Sequence, residues 1–126
     1  MLPFGVEFRP SEPVYEQVMH AAKKAMLAGN LVPGARFPSV RVLSQELKIN
    51  PNTAHKVVMA LTAEGFLLVK PGIGTVVAQL PAGSVQDRAA LLNSDVERLL
   101  VEAGRLGLSE EQVLAAVRRQ WRKLSL

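Results

Sequence analysis

Apolar residues recur along this chain with the period of a helix in five places and with the period of a strand in one. Val14, Val18, Ala22, Ala25 and Met26 share one helical face. Pro13 stands where a first-turn proline is tolerated, and Gly29-Asn30 ends the segment. Val40, Leu43 and Leu47 line a second helix running from an N-cap at about Ser39 to Leu47, with a turn at Lys48-Ile49. Asn50 is a good cap and Pro51 a good first residue for a third helix, whose stripe Ala54, Val57, Val58 and Leu61 is spaced i, i+3, i+4, i+7. Gly65 closes it. The pattern then changes. Phe66 to Lys70 and Thr75 to Ala78 are β-branched or apolar runs on either side of Pro71-Gly72-Ile73-Gly74, which predicts a hairpin. Residues 1–12 show no period and read as an extended arm.

Leu80-Pro81-Ala82-Gly83 breaks the pattern and reads as a linker. Beyond it, Val85, Ala89, Leu92, Val96, Leu99, Ala103 and Leu106 are spaced 4-3-4-3-4-3, an a/d seam along one long helix from Ser84 that Gly104 and Gly107 weaken at its end. Ser109-Glu110-Glu111-Gln112 is a capping box for a last helix with Leu114, Val117, Trp121 and Leu124 on its apolar face. The expected fold is mainly α with a small β-hairpin. It comprises a winged helix-turn-helix unit with its arm over residues 1–80, followed by a two-helix region over residues 84–126. Two helices of about forty residues cannot easily close a core by themselves. The seam therefore predicts a homodimer through Val85, Ala89, Leu92, Val96, Leu99, Ala103 and Leu106.

Composition narrows the class. Apolar residues make up 48% of the 126, enough for a packed core. No apolar run reaches membrane-spanning length, and the first residues carry neither a basic nor an apolar leader segment, so neither a membrane nor a secretory leader is expected. The absence of cysteine excludes disulfides and thiolate metal sites and fits the cytoplasm. The net charge of +4 suggests a polyanionic partner, and residues 1–78 carry most of it, with eight Lys/Arg against five Asp/Glu.

A helix that reads DNA needs polar side chains toward base edges and cations for phosphates. The third helix offers Asn52, Thr53, His55 and Lys56 opposite its apolar stripe, with Asn50 just before it. Asn pairs with adenine, Thr meets either an edge or a thymine methyl, His donates to guanine, and Lys suits phosphate. The same residues would also make an ordinary solvated face. Arg41, in the first turn of the second helix, has the fork for guanine or phosphate, or it pairs with Glu46 or Gln45. Ser39 caps its helix and, with the amides there, could hold a phosphate. Lys70, Gly72 and Gly74 flank or form a narrow hairpin tip that could approach the sugar-phosphate edge, or be only a tight turn. Arg118, Arg119, Arg122 and Lys123 read as a solvated face of the last helix. His20 and His55 are the only histidines, and they show no ligand spacing. No nucleophile elbow, P-loop or zincin motif occurs, so no catalytic residue, cofactor or metal is expected.

The run Gly29 to Ser44, the tetrad Asn50-Pro51-Asn52-Thr53, then Leu61, Glu64-Gly65 and Gly72 to Val77 resemble the N-terminal signature of the GntR family of bacterial transcription regulators. Pro13 to Val18 and the Asn-Pro-Asn-Thr tetrad are similar to its YtrA subfamily, which has a short two-helix dimerisation part. The resemblance implies a homodimeric repressor on a pseudo-palindromic operator. It places Arg41 at a base-contacting position, Asn50, Asn52, Thr53 and His55 at contact positions, and Gly72 and Gly74 on the wing. Lys48 stands where the family usually has glycine, His55 where a larger cation or a hydroxyl is common, and Ile73 where a basic wing residue is common. Two other readings remain open. One is a winged helix that binds protein without specific DNA binding, which would want a more apolar third helix. The other is the N-terminal unit of a pyridoxal-phosphate enzyme, which would want a cofactor lysine. A small-molecule effector of unknown identity has room only at the dimer seam.

Overall fold

The computed structural model describes residues 2–124 and 126. Met1, at the start of the expected arm, and Ser125, in the expected second region, lie outside the described residues. The chain divides into two compact units, one ending at Pro81 and the other beginning at Ala82.

The first unit holds α1 (Val14–Leu27), α2 (Val40–Leu47), α3 (Pro51–Ala63), β1 (Leu67–Lys70) and β2 (Gly74–Val77). Each start and stop has a local cause. α1 ends where the Asn30 amide donates to the Ala25 carbonyl at 2.8 Å, a geometry that needs the left-handed Gly29 between them. Ser39 caps α2 by accepting the Val42 amide at 3.2 Å, and Asn50 caps α3 by accepting the Asn52 amide at 2.8 Å. Between them Lys48 takes φ 56° and ψ 47°. A non-glycine residue there costs something in strain, but one left-handed residue turns the chain from α2 into α3. Val18, Ala22, Leu43, Ala54, Val57, Leu61 and Val77 form the core.

The hairpin pairs Leu67 with Val77 and Lys70 with Gly74, so β1 starts one residue later than expected and ends at Lys70 as expected, and β2 lies one residue earlier than expected. Lys70, Pro71, Gly72 and Ile73 close it, with the Ile73 amide donating to the Lys70 carbonyl at 3.0 Å. Proline at the second place and glycine with φ 79° at the third give a type II turn. A third extended segment was not expected from the sequence. Residues 35–37 run antiparallel along the free edge of β2, with Arg36 opposite Val76. Phe37 donates to Thr75 at 2.9 Å and Val77 to Ala35 at 2.8 Å. Three residues are too short for alternation to show in a sequence.

The N-terminal arm also gains an anchor. The buried Gln17 side chain accepts from the Arg9 amide at 2.8 Å and donates to the carbonyls of Arg9 and Glu12, both at 2.9 Å. Those bonds satisfy a buried amide that would otherwise be costly. Phe4 stacks on Phe37, with centroids 6.1 Å apart.

The second unit contains α4 (Val85–Ala89), a π-helical stretch (Ala90–Asp95), α5 (Val96–Arg105) and α6 (Glu110–Lys123). Capping boxes open α4, through Ser84 and Asp87, and α6, through Ser109 and Gln112. The second of these is the box read from the sequence. Left-handed Gly107 ends α5, with the Leu108 amide donating to Ala103 at 2.9 Å.

The expected single helix from Ser84 runs without a gap from Val85 to Arg105, with the π-helical stretch Ala90–Asp95 inside it. The π stretch ends in Asn93-Ser94-Asp95, three short polar residues whose side chains compete for backbone groups and weaken helical bonding. Wider i→i+5 turns advance less per residue than α turns. Ala103 is buried within its own unit, while Val85, Leu92, Val96, Leu99 and Leu106 are exposed.

Candidate nucleic-acid interface

The turn at Lys48 sets α3 against α2, and α3 buries Ala54, Val57 and Leu61 in the core. A helix with its inner stripe fixed in this way must present the rest to solvent. Asn52 and His55 are exposed on α3 and Thr53 is half-buried. Met59, one turn beyond His55, is also exposed. Arg41 is exposed in the first turn of α2, and among the described residues no carboxylate pairs with its guanidinium.

Two of the expected contact residues have protein partners. The Asn50 side-chain oxygen is engaged in capping, which leaves only its amide nitrogen for a base or phosphate. Lys56 places Nζ 4.0 Å from the centroid of the Tyr15 ring on α1. That cation–π contact holds the ammonium beside α1, at the flank of α3. Ser39 likewise spends an acceptor on the Val42 amide, although its hydroxyl can still donate.

The hairpin brings Lys70, Gly72 and Gly74 to one exposed end. Gly72 and Gly74 both have positive φ, 79° and 114°, and no atom lies within 4 Å of a Cβ built on either. Backbone conformation alone demands glycine at these two places, and the space beside each stays open. Arg36 reaches the same end, where its Nη2 donates to the Ile73 carbonyl at 2.8 Å. Arg36 and Tyr15 were not among the residues singled out from the sequence. Both act across long stretches of chain, and only their types, a cation and an aromatic ring, hinted at such roles.

Two turns further along α1, Lys23 joins Glu64 at 3.0 Å and lies 5.0 Å from the Phe66 ring centroid. It ties α1 to the end of α3, and a half-exposed pair of this kind adds up to ~1 kcal/mol. Among the described residues no group of His, Asp and Glu has the arrangement of a metal site, and no helix is long and apolar enough to cross a membrane.

In the second unit the seam residues stand on α4, the π stretch and α5. Leu99, Leu106, Leu108, Val113, Val117 and Trp121 line an open apolar groove of about 830 Å³ between α5 and α6. At its border Arg105 grips Glu102, a contact that holds the Glu102 carboxyl below the usual carboxylate range and raises the arginine.

Comparison with known proteins agrees with this geometry. The model of the "Bacterial regulatory proteins, gntR family" matches residues 14–77. The chain is 29% identical over 109 residues to the HTH-type transcriptional repressor YtrA of Bacillus subtilis, covering 86% of this chain and 84% of that one. A transcriptional antiterminator from Listeria monocytogenes superposes with a TM-score of 0.83 at 21% identity, covering 96% of this chain and 91% of the other. A transcriptional regulator from Oenococcus oeni superposes at 0.60 with 26% identity, covering 91% and 96%.

Proposed function

The chain belongs to the GntR family of bacterial regulatory proteins, and from that premise we propose that it is a cytoplasmic repressor that binds a pseudo-palindromic operator as a homodimer. The observation that carries this reading is the exposed face of α3, with Asn52 and His55, together with the exposed Arg41 on α2, to which no carboxylate among the described residues is paired, on a unit whose core fixes both helices. In the docked state α3 lies in the major groove. Arg41 and Asn52 read base edges, with guanine and adenine their preferred partners. His55 and Thr53 tune the neighbouring positions. Ser39, Asn50 and Lys56 hold phosphates, while the wing with Lys70, Gly72 and Gly74 follows the adjacent backbone.

The dimer forms through the second unit. Val85, Ala89, Leu92, Val96, Leu99, Ala103 and Leu106 supply the seam, with the α5–α6 groove receiving apolar side chains of the second copy. A two-fold dimer presents two recognition helices about one DNA turn apart, roughly 34–36 Å, which is why the operator is palindromic. A small-molecule effector, of unknown identity, would act by changing that separation at the seam. The polar character of α3 argues against a protein-binding role, since a protein-docking helix would expose a more apolar face.

Binding of the purified protein to DNA upstream of its own gene, across a salt series and beside random duplex, tests the proposal. Tight, steeply salt-dependent binding well above the random control is expected. Equal, weak binding to both duplexes overturns specific recognition.

A further inference from the structure

Arg36 lies outside the residues so far assigned to DNA, yet its side chain ends at the tip of the wing. Its backbone runs along β2 opposite Val76, and its Nη2 donates to the Ile73 carbonyl at 2.8 Å. Ile73 is the last residue of the Lys70–Ile73 turn, so the guanidinium is carried to the outer end of the hairpin. The tip residues Pro71, Gly72, Ile73 and Gly74 carry no charge, and Lys70, the first residue of the turn, is the hairpin's own cation, on a flexible stem.

The Ile73 carbonyl takes one of the five N–H donors of the guanidinium. The residue is exposed, and among the described residues no carboxylate pairs with it. A guanidinium fixed by a single backbone bond keeps the rest of its fork available in a set orientation. It also loses less freedom on meeting a ligand than a loose lysine does. The planar fork matches phosphate oxygens, and the glycines beside it have open space next to their Cα atoms, so a sugar-phosphate strand can approach closely.

We infer that Arg36 is the phosphate-binding residue of the wing: anchored on the Ile73 carbonyl, it clamps one DNA backbone phosphate at the groove edge beside each half-site. The inference rests on the DNA-binding reading above. Arg36 positions the tip through the carbonyl bond and meets the phosphate with the free part of its fork. It thus gives the hairpin a cation that no tip side chain provides.

The test is a salt series on promoter duplex and random duplex with the full chain, Arg36→Gln and Arg36→Lys. Arg36→Gln removes the charge and keeps a donor. It should flatten the log–log salt plot by about 0.9 for each bound protomer and weaken binding on the order of fivefold per protomer at ~0.15 M salt. Promoter and random duplex should lose alike, because a phosphate contact carries no base information. Arg36→Lys should restore the slope. Should Arg36→Gln keep the full wild-type slope, even with weaker binding, the residue only shapes the hairpin and the inference is wrong. Circular dichroism at the assay temperature, together with the slope of Arg36→Lys, separates misfolding from lost charge. A wild type that binds neither duplex removes the DNA reading and this inference together, whereas a wild type with a steep slope shared by Arg36→Gln removes this inference alone.

Discussion

In the unit that ends at Pro81, three helices and a hairpin enclose Val18, Leu43, Val57 and Leu61 completely, whereas from Ala82 onward Ala103 is the only apolar residue that is buried among those described. The first unit has a closed core, although Leu27, Met59, Val69 and Ile73 stay exposed on its surface, and its α3 also presents the polar Asn52 and His55. The second exposes Val85, Leu92, Leu99, Leu106, Leu114, Val117 and Trp121. Each such side chain gains roughly 1.5–3 kcal/mol on full burial, so two helices that leave this many in water are short of a partner. The contrast divides the labour: a closed unit can read a ligand with a rigid face, and an open one can assemble.

The largest effect should come from breaking the open unit. Leu99→Asp puts a charge into the exposed α5 stripe, where burying it against a second copy is prohibitive. The variant should sediment as a monomer and lose operator affinity by ~10²–10⁴-fold, the gain that two linked half-sites provide. Dimers persisting in sedimentation would move the interface to another face. The same substitution at Val85 sharpens the point. With the seam running through the π stretch, Val85→Asp should weaken the dimer as Leu99→Asp does, and a dimer left intact would mean that the π stretch turns Val85 out of line with Leu99.

Next in size is a change on the closed unit. Arg41→Ala should cost about 1–3 kcal/mol of operator binding and relax preference at one base position, with dimerisation and melting temperature unchanged. Operator affinity equal to wild type in a fluorescence titration would remove Arg41 from base reading. Together the two variants separate assembly from reading, since one should alter oligomeric state and the other should not.

The closed unit was the more legible in sequence, for a physical reason. Its helices are bounded by residues with strong local preferences: Ser39 and Asn50 as caps, Gly29 as a left-handed stop, and Pro71-Gly72 as a turn. Their chemistry acts within four residues, so it can be read in one dimension. Arg36 on the Ile73 carbonyl spans 37 residues and Lys56 on Tyr15 spans 41, and neither pairing leaves a local trace. In the open unit the 4-3 spacing predicted a long helix but not the π stretch at Ala90–Asp95 within it, because a heptad pattern carries no mark of a local change in twist per residue. Asn93-Ser94-Asp95 carried the local hint of that change.

A smaller effect should follow from the Tyr15 ring. Tyr15→Phe keeps a ring under the Lys56 ammonium and should leave stability within about 0.5 kcal/mol. Tyr15→Leu removes the aromatic face and should cost about 0.5–1 kcal/mol of the pairing. A double-mutant cycle with Lys56→Met, followed by urea denaturation, measures the coupling. Zero coupling would leave Lys56 as a free surface cation available to DNA at any angle, contrary to the flank position seen here.

The smallest effect belongs to the first turn of the open unit. The Ser84 amide donates to the Asp87 carboxylate at 3.0 Å and, with the Ser84 side chain next to it, holds that carboxyl below the usual aspartate range. A carboxyl whose folded pKa is depressed contributes its share of stability above the unfolded value of about 3.9 and loses it as pH falls through the folded value. Acidification from pH 5 downward should therefore fray α4 first, while the Ser109–Gln112 box, which has no titrating group, keeps α6 capped. Amide exchange should rise at Val85 to Arg88 and stay slow at Val113, and Asp87→Asn should show the frayed pattern already at pH 7. Equal acid sensitivity at both helix starts would mean that the charge on Asp87 adds nothing to the neutral capping geometry, and that the two capping boxes differ only in sequence.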